Sequence, residues 1–486
     1  MVKTIPPFIY IIFLAKLILK CYYIFMNFWT KDILEKALPE AKFHNFPKDF
    51  SANGIRVTHL DFDYGNIAIV RKPEEKVGIR ESFLPSLGDK ISALVCNDYK
   101  YFSKYNLPII EVKDVNDVVI RMAFFIRRNY SGTVIDITGS SGKTTTTRMC
   151  YDVLSDYGAS SNLNQANTNF GIAWNMTLYN TESKYWVNET SLGGGMDLNS
   201  VLTKPDIAVV TNIAPVHLKA NQPLINVAIQ KSKIFTAMDI GKTAIIYNEM
   251  AYKDVVLRAA ANKYLKVITF GEDEESDVRI LTGDRNSINL FGKLYKYSDN
   301  PVPKHILLDA AIVLAIVQTL GLPIEPALEK LRNFNSIVGR GQVTSGNIDT
   351  HRKITMIDES FNANPLSMKF SLDGFNKMFG KNKNKMLILG DMAEGGPETV
   401  QQHLDLLEDI NKIKPTRVLL CGEQMSVLWD KVKDLYNGKY YTNVEELLAD
   451  ILGWVEDDDY IFIKASHSIE LFKAVIKLRD MIRANN

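Results

Sequence analysis

Short apolar runs alternate along the chain with longer stretches in which apolar residues recur at helical spacing. Between residues 131 and 342 the runs are "TVIDIT", "YWVNE", "DIAVVTNI", "TAIIYN" and "KVITFG". Runs of this kind are typical of parallel strands that helices cover on both faces. The pattern predicts an α/β fold with a mainly parallel sheet in this region and a hairpin insert at "DVRILTGDRNSINLFGKLYKYS".

The same alternation is found on both sides of this region. Residues 50–130 contain "GNIAIV", "ISALVC" and "PIIEV", which predict a small α/β domain. Beyond residue 342 the runs "TMIDES", "KMLILGD", "TRVLLCG" and "DYIFIKAS" predict a third α/β unit. The expected organisation is an apolar segment at residues 1–30 followed by domains at residues 31–130, 131–342 and 343–486.

The first thirty residues are the exception in composition, because "IPPFIYIIFLAKLILKCYYIFMNFW", residues 5–29, is almost wholly apolar or aromatic. Lys16 and Lys20 interrupt this run four residues apart and therefore share one helical face. That spacing makes a bilayer-spanning helix costly and suits a helix in the membrane interface. Three interpretations stay open: contact of residues 5–29 with a membrane surface, packing against protein, and a true span or uncleaved signal-anchor.

Composition and charge limit the partners. The 486 residues are 46% hydrophobic and 23% charged, which is typical of a folded protein with several cores. The 57 basic and 56 acidic residues nearly cancel, so no global field favours nucleic acid, and an anionic ligand must be bound by a local site. The four cysteines show no metal-ligand spacing, which argues against a zinc site and suits a reducing, cytoplasmic location, with membrane association depending on residues 5–29.

The stretch "ITGSSGKTTTT", residues 137–147, is a glycine-punctuated loop between a predicted strand and a predicted helix. Backbone N–H groups in such a loop point at phosphate oxygens, and the positive end of the following helix adds to the field. Lys143 is expected to neutralise the β- and γ-phosphates and the Thr144 hydroxyl to bind Mg²⁺, whereas Thr146 and Thr147 are expected to be structural. The sequence therefore predicts a bound nucleotide and Mg²⁺ as cofactors, with the nucleotide held by Gly139, Ser140, Ser141, Gly142, Lys143, Thr144 and Thr145.

The loop has a TGxxGKT form and is followed in order by "VNETSLGGG", "TNIAPVHL", "IQKSKIF", "GRGQ" and "IDESFNANPLSM". In this order and spacing the motifs resemble the Mur ligase family. Within it the chain looks closest to the MurF-type branch, since "DESFNANPLSM" and "LILGDMAEGG" are similar to that branch's signatures. The resemblance implies a small substrate-binding α/β domain, a central P-loop domain that binds ATP, and a C-terminal Rossmann-like α/β domain.

The resemblance also implies an activity in peptidoglycan (cell-wall) biosynthesis. A Mur-type ligase joins a peptide-like carboxylate to an amine, and the γ-phosphate of ATP supplies the leaving group as an acyl phosphate. Because phosphoryl transfer to a carboxylate brings negative charges together, such a site needs metal ions and cations. The resemblance implies catalytic roles for Lys143, Lys231 and His217.

Individual roles follow from matches to the family's motifs. Thr144, Glu189 and His217 match ligands of metal ions, and Lys231 matches a lysine that becomes carbamylated. The resemblance assigns Asn248 to the adenine, Arg340 and Asp358 to the nucleotide, and Asn362 and Asn364 to the substrate. His305 and Asp309 in "KHILLDAA" are similar to the start of a family helix that reads HNxxN, with Asp309 where Asn is usual.

The chain departs from the MurF-type pattern in two regions. The amino-terminal domain has no Asp-Ser-Arg segment, and "IKASHSIELF" stands where "KGSR" is usual, with Ala465 and His467 in place of glycine and arginine. Both regions would select substrates. The leading hypothesis is therefore amide ligation that adds an amino acid or dipeptide to a peptide-like carboxylate. The alternatives are the standard addition of D-alanyl-D-alanine to a UDP-muramoyl tripeptide, a nucleotide-binding membrane-associated scaffold without ligase activity, and a P-loop kinase or NTPase.

Overall fold

The computed structural model describes residues 28–60, 62–162, 166–214, 223–282, 286–299, 302–334, 338–382, 384–392 and 398–484. Almost all of the apolar run at residues 5–29 lies outside them. No helix within these ranges has the length and apolar character needed to cross a bilayer. The chain divides into two compact units, of which the first comprises the residues up to Val134 with Tyr157–Lys204 and the second Ile135–Asp156 with the residues from Pro205 onward.

The elements of the first 204 residues alternate between short strands and helices. The strands are β1 (Trp29–Thr30), β2 (Lys42–His44), β3 (Ser51–Ala52), β4 (Gly54–Arg56), β5 (Asn66–Arg71), β6 (Ile79–Arg80), β7 (Ile91–Cys96), β8 (Ile109–Glu111), β9 (Thr133–Thr138), β10 (Ala159–Ser161) and β11 (Tyr185–Glu189). The helices are α1 (Lys31–Ala37), α2 (Leu84–Leu87), α3 (Tyr99–Phe102), α4 (Val115–Asn129), α5 (Lys143–Leu154), α6 (Asn169–Met176) and α7 (Met196–Thr203).

The remaining residues continue this alternation. The strands are β12 (Ile207–Val210), β13 (Thr243–Tyr247), β14 (Lys266–Gly271), β15 (Val278–Leu281), β16 (Asn286–Leu290), β17 (Lys293–Ser298), β18 (Gln342–Asn347), β19 (Lys353–Glu359), β20 (Lys385–Gly390), β21 (Arg417–Cys421), β22 (Asn437–Tyr441) and β23 (Asp459–Lys464). The helices are α8 (Leu224–Ser232), α9 (Lys253–Asn262), α10 (Lys304–Thr319), α11 (Ile324–Arg332), α12 (Pro365–Phe379), α13 (Thr399–Leu404), α14 (Leu406–Ile413), α15 (Met425–Val432), α16 (Val444–Trp454) and α17 (Phe472–Ala484).

The first unit is built on a sheet of order β2-β8-β7-β5-β4, with β6 paired to β5. Only the β2–β8 pair of this sheet is antiparallel among the described pairs. The amphipathic helix α4 begins after the N-cap Asp114 and buries one face against α6. Trp29 is fully buried in this core, and its indole N–H donates to the carbonyl of Thr177 at 2.9 Å. In the same unit β10 pairs with β11 in parallel.

Two sheets form the second unit. In one, β9, β12, β13, β14 and β15 are parallel neighbours in that order, and β16 and β17 extend the sheet as antiparallel strands. The other has the order β18-β19-β23-β20-β21-β22, and only its β18–β19 pair is antiparallel among the described pairs. The α/β class with mainly parallel sheets is thus confirmed, and the expected insert is the β15–β17 meander. The domain boundaries near residues 130 and 342 stay predictions.

The helix α10 is apolar on almost every side, which is typical of a helix buried in a protein interior. It packs against α5, the helix that follows the glycine loop. Because β9 and β12 are parallel neighbours with Thr138 opposite Val210, the loops after these two strands emerge at the same edge of the sheet. The glycine loop and the segment after β12 are therefore brought together.

Candidate active site

The glycine loop joins β9 to α5. Lys143 is the first residue of α5, and its N-cap is Gly142, with φ of 80° and no capping side chain. Gly139 has φ of 155°, and a Cβ at this position would collide with the Thr211 hydroxyl, so only glycine fits. A helix N-terminus that ends a glycine loop and has no capping side chain is suited to binding an anion.

Asn212, two residues beyond β12, holds the loop. Its side-chain Oδ1 accepts hydrogen bonds from the backbone N–H groups of Ser140 at 3.0 Å and Ser141 at 2.9 Å. Its Nδ2 donates to the Ser141 hydroxyl at 2.6 Å. The Ser140 hydroxyl in turn accepts from the Ala214 N–H at 2.8 Å and donates to the Ala214 carbonyl at 3.0 Å. The shape of the loop is therefore fixed by the segment after β12.

Asn212 lies in the motif "TNIAPVHL" but was not among the predicted site residues. The available signal was the polar pair Thr211 and Asn212 at the end of the apolar run "DIAVV", a predicted strand of the parallel sheet, since ligands of parallel sheets bind beyond the carboxyl ends of the strands. His217, from the same motif, lies outside the described residues, and its assignment stays a prediction.

Two lysines converge on one backbone oxygen of the loop. The Lys143 Nζ donates to the carbonyl of Gly139 at 2.9 Å, and the Lys231 Nζ donates to the same oxygen at 2.8 Å. Lys231 lies on α8 and is 3% exposed. An unmodified lysine is a cation and a carbamylated one an anion, yet both keep an N–H for this bond. The structure thus brings Lys143 and Lys231 to the loop that was predicted to bind ATP.

The threonines after Lys143 differ in environment. Thr144 and Thr145 occupy the first turn of α5 and are nearly buried. The Thr146 hydroxyl lies 2.9 Å from the carbonyl oxygen of Gly142 and 2.7 Å from Oδ1 of Asp309 on α10. Thr146 therefore has structural contacts on both sides.

Glu189 is the last residue of β11, in the first unit. It is 3% exposed, and its Oε1 accepts from the Asn167 Nδ2 at 2.7 Å. The Asn162 side chain pairs with the backbone of Glu189, accepting from its N–H at 2.7 Å and donating to its carbonyl at 2.9 Å. The carboxylate is therefore held at the carboxyl end of its strand. Sequence analysis did not identify either asparagine.

Asn248 directly follows β13. Its Oδ1 accepts from the Lys253 Nζ at 3.2 Å, and its backbone N–H donates to the Phe270 carbonyl at 2.8 Å. These contacts place the side chain at the carboxyl end of β13, the edge where ligands of parallel sheets bind.

Asp358, near the end of β19, positions the segment that carries Arg340. Its Oδ2 accepts from the Gly339 N–H at 2.9 Å and from Arg479 at 3.1 Å. Its Oδ1 accepts from the N–H and the hydroxyl of Ser360 at 3.1 and 2.6 Å. The Arg340 guanidinium lies 4.0 Å from the ring centre of Phe361, a cation–π contact. Both oxygens of Asp358 are therefore used within the fold.

The two predicted substrate asparagines lie just before α12. Asn364 is its N-cap in a capping box with Ser367, with Oδ1 accepting the Ser367 N–H at 2.9 Å. Asn362 uses its Oδ1 for the N–H of Ala363 at 2.9 Å, and its carbonyl accepts from the Lys464 Nζ at 3.0 Å. The described side-chain bonds of both residues are structural.

A buried ion pair at the edge of the sheet that contains β19 and β23 was not among the predicted site residues. Glu359 and Lys464 are register partners at the ends of β19 and β23, and their charged atoms lie 3.4 Å apart. His305, at the start of α10, is 3.6 Å from the other oxygen of Glu359. Burial lowers the pKa of Lys464 and of His305, while Glu359 opposes the shift in both. The clue was a polar residue at the end of each of two apolar strands.

Two family models match this chain. The description "Mur ligase middle domain" matches residues 137–315, and "Mur ligase, glutamate ligase domain" matches residues 339–467. The chain belongs to the Mur ligase family. The glycine loop, Lys231 and Asn248 fall within the middle-domain match, and Arg340 and Asp358 fall within the second.

Relatives named UDP-N-acetylmuramoyl-tripeptide--D-alanyl-D-alanine ligase align with most of this chain. That of Rickettsia prowazekii is 26% identical over 377 residues, which are 76% of this chain and 82% of the relative. That of Borreliella burgdorferi is 28% identical over 359 residues, 71% of this chain and 74% of the relative. The predicted resemblance to Mur ligases is confirmed, and with it the class of ATP-dependent ligases.

Solved structures agree in fold. MurF from Acinetobacter baumannii superposes with a TM-score of 0.77 at 20% identity, covering 93% of this chain and 99% of the other. MurF ligase from Thermotoga maritima in complex with ADP gives 0.72 at 19% identity, covering 90% and 100%. At these identities the comparison establishes the Mur ligase fold, whereas the roles of individual residues stay predictions.

Proposed function

We propose that this Mur ligase joins D-alanyl-D-alanine to the terminal carboxylate of a UDP-N-acetylmuramoyl tripeptide in an ADP-forming reaction of cell-wall synthesis. The observation that carries the ATP part is the convergence of Lys143 and Lys231 on the Gly139 carbonyl, beside a helix N-terminus without a capping side chain. The substrates follow from the names of the relatives that share most of the chain.

The reaction has two balanced steps. An oxygen of the substrate carboxylate attacks the γ-phosphorus of ATP, the bond to the bridging oxygen breaks, and ADP leaves. The amine nitrogen of the dipeptide then attacks the acyl carbon, the carbon–oxygen bond to phosphate breaks, and the nitrogen loses a proton as the amide forms. Lys143 balances the phosphate charge during the first step, and the N–H groups of the first turn of α5 orient the same oxygens.

Mg²⁺ is part of this proposal. The family motifs assign a metal-ligand role to Thr144 in the second unit and, separately, to Glu189 in the first unit; both side chains offer the oxygen donors that Mg²⁺ prefers, and Glu189 is held by hydrogen bonds with Asn162 and Asn167. The ion would supply positive charge to the transferring phosphate. His217 keeps its assignment as a further metal ligand, and Lys231 as a carbamylated residue, both from the family motifs.

The remaining assignments are proposals for single residues. Asn248 contacts the adenine from the end of β13, and Arg340 reaches the nucleotide phosphates. Asp358 acts on the nucleotide indirectly, because its Oδ2 accepts the N–H of Gly339 and so places the neighbouring Arg340. Asn362 and Asn364 shape the substrate-facing turn through their bonds at the start of α12.

The test is ligation by the purified protein with Mg²⁺-ATP, UDP-N-acetylmuramoyl tripeptide and D-alanyl-D-alanine. We expect ADP release that requires both substrates and a product whose mass equals their sum less one water. Lys143→Ala should abolish both readouts. The matched control is Lys242→Ala, which removes a partly exposed lysine that pairs with Asp206 at 2.6 Å and should leave them unchanged.

The same assay distinguishes the alternatives. A panel of other carboxylates and amines tests a divergent substrate, which Ala465 and His467 favour because they replace the usual residues near the end of the chain. ADP release that ignores the amine would support a kinase or NTPase and overturn the proposal. ADP binding without any turnover across the panel would support a scaffold.

The location of the enzyme is proposed as cytoplasmic. Contact of residues 5–29 with a membrane surface stays a prediction, and deletion of residues 1–27 tests it. Retention of ADP release together with loss of vesicle binding would support surface contact, whereas loss of folding would support packing against protein.

A further inference from the structure

The carboxyl group of Asp309 lies directly behind the nucleotide loop. Asp309 is in the second turn of α10, is 4% exposed, and is flanked on that helix by buried apolar residues. A Cβ on Gly142 would come within 3.1 Å of its Oδ1, so this oxygen lies next to the N-cap of α5. The site proposed for anionic phosphates is thus backed by an acidic side chain, which is unfavourable if that side chain is charged.

The hydrogen-bond geometry indicates where a proton must be. The Thr146 hydroxyl has one hydrogen but lies 2.9 Å from the Gly142 carbonyl oxygen and 2.7 Å from Oδ1 of Asp309. A carbonyl oxygen and a carboxylate oxygen are both acceptors, so one of these short contacts would have no hydrogen if Asp309 were ionised. A proton on Oδ1 satisfies both, because Asp309 then donates to Thr146 and Thr146 donates to Gly142.

The second oxygen of the carboxyl group supports this assignment. Oδ2 is buried and has no hydrogen-bond partner among the residues that the structure describes. A buried carboxylate oxygen without a donor is much less favourable than the carbonyl oxygen of a neutral acid. Burial accordingly raises the pKa of Asp309 to about 7, although the Thr146 contact and the charge of Arg340 oppose the shift.

The charged and titratable groups around Asp309 are few. Within the described ranges, Arg340 acts on it from the segment before β18, and Tyr297 on β17 is affected by its charge. The helix α5 contributes the neutral Thr146. His305, one turn earlier on α10, has its pKa lowered by burial, which disfavours its charged form. Of the groups named here, Arg340 is therefore the cation that would act on a charged Asp309.

We propose that Asp309 is a positioning residue of the nucleotide site, which fixes the N-terminal turn of α5 through Thr146 and Gly142 while it is a neutral carboxylic acid. This inference rests on the proposed ATP site. Loss of the proton breaks the chain of hydrogen bonds from Asp309 to Gly142 and places a negative charge behind the phosphates. Both effects weaken nucleotide binding as the pH rises.

The experiment is calorimetric titration of the full chain with ADP between pH 6 and pH 9. If only the protonated form binds, the dissociation constant of the wild-type protein rises about tenfold for each pH unit above the midpoint. Dividing the dissociation constant of the wild-type protein by that of Asp309→Asn removes the effect of the titration of ADP itself. We expect this quotient to rise as the pH rises from 6 to 9. Asp459→Asn is the control, because Asp459 is another buried carboxyl group, ion-paired with Arg417, and its loss should leave the profile unchanged.

Thr146→Val provides a second, independent variant, since it removes the hydroxyl and keeps the shape. It should weaken ADP binding at pH 6, and Thr146→Ser should restore it. A wild-type profile that parallels that of Asp309→Asn would overturn the inference even if ligation is found. Absence of ADP binding at every pH would overturn the proposed function together with it.

Discussion

Asn212 offers a sharp test of how the glycine loop is held. In Asn212→Ala the Ser141 N–H loses its described acceptor, whereas the Ser140 N–H keeps the Asn212 carbonyl at 3.1 Å. A fully buried donor without an acceptor costs about 1–3 kcal/mol; the Ser141 N–H is only partly buried, so the lower half of this range applies, and the lost bonds to Ser140 N–H and to the Ser141 hydroxyl add about 1 kcal/mol in total. We therefore expect the free energy of unfolding to fall by about 2–3 kcal/mol.

Urea denaturation measures this change, and calorimetric titration with ADP measures its consequence for the loop. Asn333→Ala is the matched control, because its amide only caps the exposed end of α11 by donating to the Glu329 carbonyl at 3.1 Å, and it should cost under about 1 kcal/mol. Asn212→Asp keeps an acceptor for both N–H groups but adds a negative charge. It should fold better than the alanine variant and bind ADP on the order of tenfold more weakly than wild type.

Two results would refute this reasoning. One is an Asn212→Ala protein that unfolds and binds ADP as the wild type does, which would mean that the loop keeps its shape without the amide. The other is an Asn212→Asp protein that binds ADP as tightly as wild type, which would mean that phosphate charge is not concentrated beside Ser141.

Three further predictions concern separate parts of the chain. Glu81 accepts from Tyr101 and Tyr105, and the lysine and tyrosine donors around it lower its pKa to about 2. Its stabilising effect is complete above the unfolded value near 4.5 and is lost as the pH falls towards 2, so urea denaturation should find wild type and Glu81→Gln different at pH 7 and alike at pH 2. Asn364→Ala removes the capping box of α12 and should lower the free energy of unfolding by about 1 kcal/mol, a loss that Asn364→Ser should largely reverse. Lys231→Ala should lose ADP release, and small carboxylic acids should restore part of it if a carbamate acts there; retained ADP release would remove Lys231 from the mechanism.

Local pattern was enough to predict the elements around the loop. The apolar runs "TVIDIT" and "DIAVVTNI" became β9 and β12, and the glycine spacing marked the turn between β9 and α5. These features depend on residues close in sequence, where burial and backbone conformation leave a periodic signature. The contacts that complete the site lack such a signature. Thr146 and Asp309 are 163 positions apart, and nothing in either segment alone shows that their side chains are in hydrogen-bond contact.

Register explains the pair that sequence analysis missed. Glu359 and Lys464 are opposite each other because β19 and β23 are parallel neighbours, although β20, β21 and β22 lie between them in the chain. Choosing this neighbour requires the strand order, which hydrophobic runs do not encode. A buried ion pair that depends on one strand order is destabilising in any other, since each charge would then be buried alone.

A side-chain contact of Glu359 connects the two parts of the second unit. His305 lies within the span of the middle-domain match, whereas Glu359 and Lys464 lie within the span of the second match. The 3.6 Å contact between His305 and Glu359 therefore links the helix that packs behind the nucleotide loop to the sheet that carries Asp358. A movement that separates these two parts would leave Glu359 with Lys464, its partner on the same sheet, so the carboxylate stays compensated in either arrangement. The surroundings of His305 would therefore change in such a movement, whereas Glu359 would keep its ion pair with Lys464.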